Sequence, residues 1–196
     1  MCETSASLLE QLRDKPDGAA WTRLVDLYTP LLRGWLGRHG LQACDVEDLV
    51  QDVLAVVVRE LPHFRHNRRT GAFRRWLRTI LVHRLRNFWR ARRTQPQPAG
   101  GSELLHLIEQ LSDPDNDLSR LWDEEHDQYV IRRLLERIES EVTPSTWQAF
   151  RRVVVEGRDE ETVAAELGLS VNAVFIAKSR VLSRLRREAD GILDFS

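Results

Sequence analysis

Apolar residues recur every three or four positions in segment after segment of this 196-residue chain. That spacing places them on one face of an α-helix, whereas the alternation that indicates a half-buried strand is absent except in short apolar runs. With 42% hydrophobic and 30% charged residues, the chain has the composition of a globular protein. The pattern therefore predicts an all-α fold, and the length allows one mid-sized domain or two small ones.

A stretch rich in proline and glycine, TQPQPAGGS at 94–102, interrupts the helical pattern near the middle of the chain. Its composition is typical of a linker. The residues that follow are mostly acidic, with one short apolar helix at 104–111, so we expect a flexible linker over 94–127. Two small helical domains, at 1–93 and 128–196, would then flank it.

The helices of both domains can be placed from their apolar stripes and caps. They are predicted at 5–14, 19–38, Asp45 to Pro62, 72–93 (as one helix or two in tandem), 128–141, 145–156, 160–167 and 171–188. Pro30 lies inside the second of these and should kink or split it, because proline lacks a donor N–H and its ring clashes with the preceding turn. Thr143 and Pro144 suit the N-cap and first position of the helix that follows them.

The charges are strongly segregated along the chain, although the formal net charge is only −1. His63 to Arg93 contains eleven arginines and no acidic residue, while 113–127 is acidic and the segment 178–187 is basic again. Two basic stretches separated by an acidic one indicate two contacts with a polyanion. The aromatic residues of the arginine-rich stretch are mainly core by their spacing, but aromatics beside arginines also suit stacking on unpaired bases.

The segment DVEDLVQDV at 45–53 combines an apolar stripe with an acidic face that also carries glutamine. Such a face would repel DNA, so it predicts contact with a basic protein surface. On local grounds alone, a merely solvated charged face is an equally good interpretation.

The segment DEETVAAELGLSVNAVFIAKSRVLSRLRRE at 159–188 has the order of a helix-turn-helix. Gly168 supplies the turn, Ser170 caps the second helix, and that helix is cationic. The second helix of such a motif enters the major groove by its N-terminal end, although an ordinary helical hairpin with a solvated basic face is the alternative. The residues predicted to face DNA are Val171, Asn172, Phe175, Lys178, Ser179, Arg180 and Arg184.

Along the chain, the acidic helix comes first, followed by F-R-x-W-L at 73–77, the arginine-rich helix, the linker and the helix-turn-helix. This order of the motifs resembles a bacterial RNA polymerase sigma factor of the extracytoplasmic-function group. The resemblance covers about 5–93 and 128–188. It implies a protein that binds core RNA polymerase, directs it to promoters and assists DNA melting, without enzymatic activity or a cofactor. It also implies that the linker threads toward the active-site cleft of the polymerase.

The resemblance implies a role for each matching position. The helix that docks on the clamp helices of the largest polymerase subunit corresponds to Asp45, Glu47, Asp48, Leu49, Gln51 and Asp52. The region that opens and reads the minus-ten element, holding a flipped non-template base, corresponds to Arg68, Arg69, Arg78, His83, Arg86, Asn87, Trp89, Arg90 and Arg93. The helix at 171–187 corresponds to the reader of the minus-thirty-five element.

One departure from the family pattern concerns that last helix. Where the family commonly has S-V-G-T-V-K-S-R, this chain has S-V-N-A-V-F-I-A at 170–177, and K-S-R follows only at 178–180. Apolar residues thus replace the usual cations, which recur three residues later. Either the DNA contacts shift along the helix or the promoter sequence differs.

Two other functions compete with this interpretation. The first is a stand-alone helix-turn-helix regulator whose N-terminal domain senses a ligand or dimerises. The second is a metal-dependent nuclease, for which His63, His66 and the acidic cluster at 45–52 are the only raw material, and the arginines around those histidines disfavour a bound cation.

The remaining expectations concern surroundings and regulation. Cys2 and Cys44 lack metal-type spacing and are expected to be free thiols in a reducing cytoplasm, and no apolar run is long enough to span a membrane. The sequence leaves open whether an anti-sigma protein binds the chain. It also allows the acidic segment to fold against the basic helix in the free protein and cover its DNA-binding surfaces.

Overall fold

The computed structural model describes residues 7–14, 18–65, 71–92 and 101–193. Within these ranges the chain is helical and contains no strand, which confirms the predicted all-α class. The helices are α1 (Leu8–Asp14), α2 (Gly18–Gly37), α3 (Ala43–Glu60), α4 (Ala72–Arg92), α5 (Gly101–Ser112), α6 (Asp117–Glu141), α7 (Pro144–Phe150), α8 (Glu160–Leu167) and α9 (Val171–Ala189). A 3₁₀ turn at Leu61–His63 follows α3, and a π-helical turn at Arg151–Val155 follows α7.

The first part of the core lies where α3 packs between α2 and α4. Each helix buries the stripe that its three- and four-residue spacing predicts, and Trp35, Val53 and Leu81 are among the completely enclosed side chains. Burying one such side chain contributes roughly 1.5–3 kcal/mol relative to leaving it in water. The polar faces of α3 and α4 are therefore held at the surface by their apolar faces.

Helix α2 continues through Pro30 as a single helix, so the predicted split does not occur. Pro30 itself is exposed, while Leu27, Tyr28 and Leu31 are buried around it. A proline inside a helix costs about 3 kcal/mol. Burial of the apolar face on both sides of the proline outweighs that cost.

The predicted flexible linker differs most from the structure. Most of its described part is helical, since α5 and the first half of α6 occupy it. Leu107 and Leu111 of α5 are buried against α4, and Trp122 of α6 meets Trp35 of α2 edge to face at 5.1 Å between ring centroids. The segment has enough apolar surface to dock, and some of its acidic residues pair with Arg38, just after α2, and with Arg74 and Arg78 of α4.

Helix α6 joins the two predicted domains as one 25-residue helix. The side chain of Asn116 caps it by accepting a hydrogen bond from the Leu118 N–H at 2.9 Å. The helix predicted at 128–141 is only the C-terminal part of α6. Its C-terminal half packs on α9, where Ile138 and Val181 are completely buried.

The second half of the chain forms a helical unit from α7, α8 and α9. Thr143 caps α7 and Pro144 takes its first position, as the sequence predicts. The helix predicted at 145–156 divides after Phe150, where the π-helical turn begins. Val163 of α8 and Val174 of α9 belong to a small core of their own beside the main one.

The last described residues fold back onto the start of the chain. Ile192 and Leu193 are buried, and Gly191 approaches Leu9 of α1. Gly191 has φ +78°, and a Cβ there would lie 3.1 Å from Leu9 Cδ1, so a side chain would be both strained and crowded. The chain therefore docks its C-terminal segment against α1, within the hydrophobic core that also contains α2, α3 and α4.

Candidate nucleic-acid and protein interfaces

The acidic face of α3 presents three of the six residues predicted to bind the polymerase. Asp48, Gln51 and Asp52 are exposed on the side of the helix that faces solvent. Glu47 is half-buried and receives two hydrogen bonds from Arg33 of α2, at 2.5 and 2.6 Å. The hydrogen bonds from Arg33 lower the pKa of Glu47, so this carboxylate stays charged.

The other two predicted residues of α3 face inward. Leu49 is part of the core. Asp45 is buried, and its carboxylate accepts a hydrogen bond from Arg92 of α4 at 2.5 Å. The structure thus gives both residues a packing role, with Asp45 tying the start of α3 to the end of α4.

An exposed strip runs along the outer side of α4. Its members are Arg75, Thr79, His83, Asn87 and Arg90, spaced by three or four residues and all exposed. Asn87 and Arg90 contact each other, with the Arg90 guanidinium donating to the side-chain Oδ1 of Asn87 at 3.4 Å. The strip contains three predicted minus-ten residues. Arg75 and Thr79 are not among the residues predicted to read the minus-ten element, although the four-residue spacing that joins them to His83 is visible in the sequence.

Two further predicted residues border this strip. Arg86 is half-buried and donates to the Ser112 hydroxyl of α5 at 2.8 Å. Trp89 is half-buried and packs against the hydrophobic core, so only part of its ring faces solvent. Arg68, Arg69 and Arg93 lie outside the described residues.

Arg78 is placed differently from the rest of the predicted minus-ten reader. It is 7% exposed and points at α6, where its guanidinium donates to the Ser119 carbonyl at 3.0 Å and to Asp123 at 2.9 Å. Arg74 reaches the same helix and donates to Asp127 at 2.6 Å. Burial lowers the pKa of Arg78, and the charge of Asp123 opposes that effect. In this structure the acidic segment of α6 therefore binds two arginines of the basic helix.

A buried polar network lies beside these ion pairs. His126 of α6 is completely enclosed; its Nε2 lies 3.2 Å from the Tyr28 hydroxyl, and its Nδ1 lies 2.9 Å from Asp127. If Nδ1 donates to the carboxylate, Nε2 accepts from the tyrosine. Burial raises the pKa of Tyr28 well above its ordinary value, and Asp127 adds to the effect, so the hydroxyl keeps its proton.

The turn between α8 and α9 has the geometry that its residues favour. Gly168 ends α8 at φ +64°, a left-handed conformation that glycine adopts without strain. Ser170 accepts from the Ala173 N–H at 3.2 Å and caps α9. Ala164 and Ala177 are buried where the two helices pack, because small side chains allow a close approach.

The N-terminal half of α9 exposes most of its predicted DNA-facing residues. The exposed ones are Val171, Asn172, Phe175, Ser179 and Arg180. Lys178 forms an ion pair with Glu160 of α8 and is half-buried. Ile176 is also exposed, beside Phe175, and is not among the residues predicted to face DNA.

Arg184 is engaged inside the protein. It forms ion pairs with Glu141 at the end of α6 and with Glu188 one turn further along α9, the latter at 3.0 Å. These contacts tie the middle of α9 to α6. The predicted DNA contact of Arg184 would therefore require its ion pairs with Glu141 and Glu188 to break.

Two further observations concern sites that the sequence raised as alternatives. Among the residues that the structure describes, no three His, Cys, Asp or Glu side chains lie close enough together to hold a metal ion. His63 is exposed, and His66 is not described. None of the described helices combines the length and the apolar character needed to cross a lipid bilayer.

Comparison with known families identifies the part of the chain that carries α3 and α4. Residues 24–95 match the family model described as Sigma-70 region 2. The match includes the acidic face of α3 and the exposed strip of α4, and it covers just over a third of the chain. It supports a sigma-70 family sigma factor, with a role in RNA polymerase binding and promoter recognition. No curated protein matches the chain significantly.

Proposed function

We propose that this protein is a sigma factor of the extracytoplasmic-function group that brings core RNA polymerase to promoters and helps to melt them. The observation that carries the proposal is the opposite character of two adjacent helices. Within the segment that matches Sigma-70 region 2, α3 exposes Asp48 and Asp52, whereas α4 exposes Arg75 and Arg90. The first face suits a basic protein surface and the second suits DNA, so the protein can bridge polymerase and promoter.

On the polymerase side, we propose that Asp48, Gln51 and Asp52 contact the clamp helices of the largest subunit. All three are exposed, and they lie on a helix whose other face is locked into the core. The Arg33–Glu47 pair borders this face and holds the charge of Glu47. The polymerase therefore meets a rigid acidic surface and does not need to order a flexible segment.

On the promoter side, we propose that the strip of α4 contacts the minus-ten element. Arg75 and Arg90 can neutralise phosphates, while Asn87 can hydrogen-bond the edge of an unpaired base. The exposed part of Trp89 is placed to stack on such a base, which is worth ~1–3 kcal/mol for each base. Binding energy and base capture would drive the opening, without a catalytic residue or a cofactor.

For the second half of the chain, we propose that α8 and α9 act as a helix-turn-helix that reads the minus-thirty-five element. The tight turn at Gly168 and the exposed N-terminal half of α9 support this role. Asn172 and Ser179 offer hydrogen bonds to base edges, and Arg180 is placed for a base or a phosphate.

We further propose that the contact between α4 and α6 belongs to the free, cytoplasmic protein and opens on the polymerase. The acidic segment of α6 occupies Arg74 and Arg78, which would otherwise add to the cationic surface of α4. Separation would release both arginines for DNA and leave the acidic segment free to enter the polymerase cleft. Whether an anti-sigma protein also binds the chain is a separate question, which a pull-down from the source cell would address.

The deciding experiment is run-off transcription and pull-down with purified core polymerase. We expect Asp48→Arg with Asp52→Arg to abolish both signals, because the change reverses the charge of the docking face. The matched control is Asp26→Arg with Glu139→Arg, which changes the net charge equally at exposed positions of α2 and of the C-terminal part of α6. If the acidic pair of α3 proves silent in the pull-down, the clamp assignment is wrong. Tight, specific duplex binding without polymerase would instead favour the stand-alone regulator.

A further inference from the structure

Three large apolar side chains stand in solvent at the N-terminal half of α9. Val171 is 45% exposed, Phe175 55% and Ile176 47%. Val171 and Phe175 lie four residues apart and therefore share one face of the helix, and Ile176 adds apolar surface at the position next to Phe175. A contiguous apolar patch of this kind on a protein surface commonly marks a binding site.

Folding does not require this patch. The inward side of α9 is supplied by Val174, Ala177 and Val181, all buried. These three follow their own three- and four-residue spacing and already anchor α9 on α8 and α6. Val171, Phe175 and Ile176 belong to neither hydrophobic cluster, so their apolar character favours a partner that covers them.

The surroundings of the patch favour nucleic acid over a protein. Asn172, Ser179 and Arg180 are exposed along the same half of α9 and bring hydrogen-bonding and cationic groups. The Lys178 ammonium lies 5.6 Å from the centroid of the Phe175 ring, and its ion pair with Glu160 holds it there. An apolar centre with a polar and cationic border matches the floor of a major groove between its two phosphate rows.

The chemistry of the patch selects one feature of that groove. Among the four bases, only thymine presents a methyl group in the major groove, and apolar side chains recognise it by direct contact. We infer that α9 reads thymine methyl groups through Phe175, with Val171 and Ile176 completing the apolar surface. The inference rests on the proposed function and adds the determinant of its sequence preference. It also accounts for apolar residues where related chains have cations.

The test uses the full chain bound to core RNA polymerase. A random duplex library is selected for binding, and each thymine of the recovered upstream element is replaced in turn by deoxyuridine, which lacks only the 5-methyl group. We expect one or two replacements to weaken wild-type binding about fourfold, roughly what burial of one methyl group supplies. The Phe175→Ala variant should lose that sensitivity. Leu121→Ala, at a 45% exposed position of α6, is the matched control and should keep it.

The remaining outcomes of this experiment distinguish failure of the proposed function from failure of the thymine-methyl inference. If the wild-type chain selects no upstream element, the proposed function and this inference fail together. If an element is selected but deoxyuridine has no effect, or if Phe175→Ala keeps the wild-type penalty, the inference alone is wrong. A Phe175→Ala variant that binds core polymerase more weakly or changes self-association, while the complex that still forms keeps the wild-type deoxyuridine penalty, would assign the patch to a protein partner.

Discussion

Arg78 of α4 donates to Asp123 of α6 at 2.9 Å, and the same nitrogen donates to the Ser119 carbonyl at 3.0 Å. The arginine belongs to the most basic stretch of the chain and the aspartate to the most acidic one. Their side chains are only 8% and 21% exposed, so the pair is shielded from water and from salt. Opposite charges that are distant in the sequence therefore meet inside the fold.

Removal of Arg78 should destabilise the protein. The Arg78→Ala variant leaves Asp123 without this partner and removes a donor from the Ser119 carbonyl, so we expect a loss of about 3 kcal/mol in the free energy of unfolding. Arg75→Ala, three residues away on the exposed side of α4, is the control and should change it by less than about 0.5 kcal/mol. Urea titration followed by circular dichroism measures both. Equal stability of the two variants would contradict the structural role of Arg78.

Neutralising the acidic segment should expose more of the basic helix. In the Asp123→Asn, Asp127→Asn variant, Arg74 and Arg78 lose their carboxylate partners, so we expect tighter binding of the full chain to single-stranded DNA. The logarithmic salt dependence should steepen by about 0.7 for each arginine released. Asp26→Asn with Glu139→Gln makes the same charge change at exposed positions of α2 and of the C-terminal part of α6 and should leave the slope unaltered.

Two residues of the α4 strip are expected to have different roles: Arg90 holds the phosphate backbone of the DNA, and Asn87 recognises a base. Arg90→Ala is expected to weaken promoter binding by the holoenzyme uniformly and to reduce the salt slope by about one, because it removes a phosphate contact. Asn87→Ala should instead weaken opening on some promoters more than on others. Permanganate footprinting of unpaired thymines measures the opening, and filter binding at several salt concentrations measures the slope. Identical promoter profiles for the two variants would contradict this division.

Acid should destabilise the second half of the chain through two surface carboxylates. Hydrogen bonds from Arg158 lower the pKa of Glu166, and hydrogen bonds from Thr162 lower that of Asp159, the cap of α8. Both pKa values lie below those of the unfolded chain, so the stabilisation is present above the ordinary values, 4.5 and 3.8, and is lost as the pH falls through the lowered ones. Thermal unfolding measured from pH 6 to about pH 3 should show the loss. Glu166→Gln should flatten it, and a profile identical to that of the wild type would contradict the assignment.

Much of the fold follows from local patterns. The bounds of α8 coincide with the helix expected at 160–167, and α4 begins at the expected Ala72, because each carries a clear apolar stripe. The caps at Thr143 and Ser170 were visible for the same reason, since capping depends on neighbouring residues only. The exposed acidic residues of α3 were also predictable, because a buried stripe leaves the opposite face to solvent.

The linker and Arg78 were not predictable from local patterns. Composition at 94–127 indicated a flexible acidic segment, but α5 and α6 dock there through residues such as Leu111 and Trp122. Arg78 and Arg75 both lie in the arginine-rich stretch, and the packing of α6, with Ser119 and Asp123, distinguishes Arg78. Both depend on contacts between residues far apart in the sequence, such as Trp35 with Trp122 and Arg78 with Asp123.

The sequence by itself determined which segments form helices, which faces are apolar, and where the charges accumulate, because these properties depend on residues within a turn or two of one another. The tertiary structure alone decided which of those charges remain available. It turned Arg74 and Arg78 toward the carboxylates of α6, left Arg75 and Arg90 in solvent, and exposed Phe175. The physical reason is that the exposure of a charge or an apolar ring depends on which other residues pack against it, and the tertiary fold determines those residues.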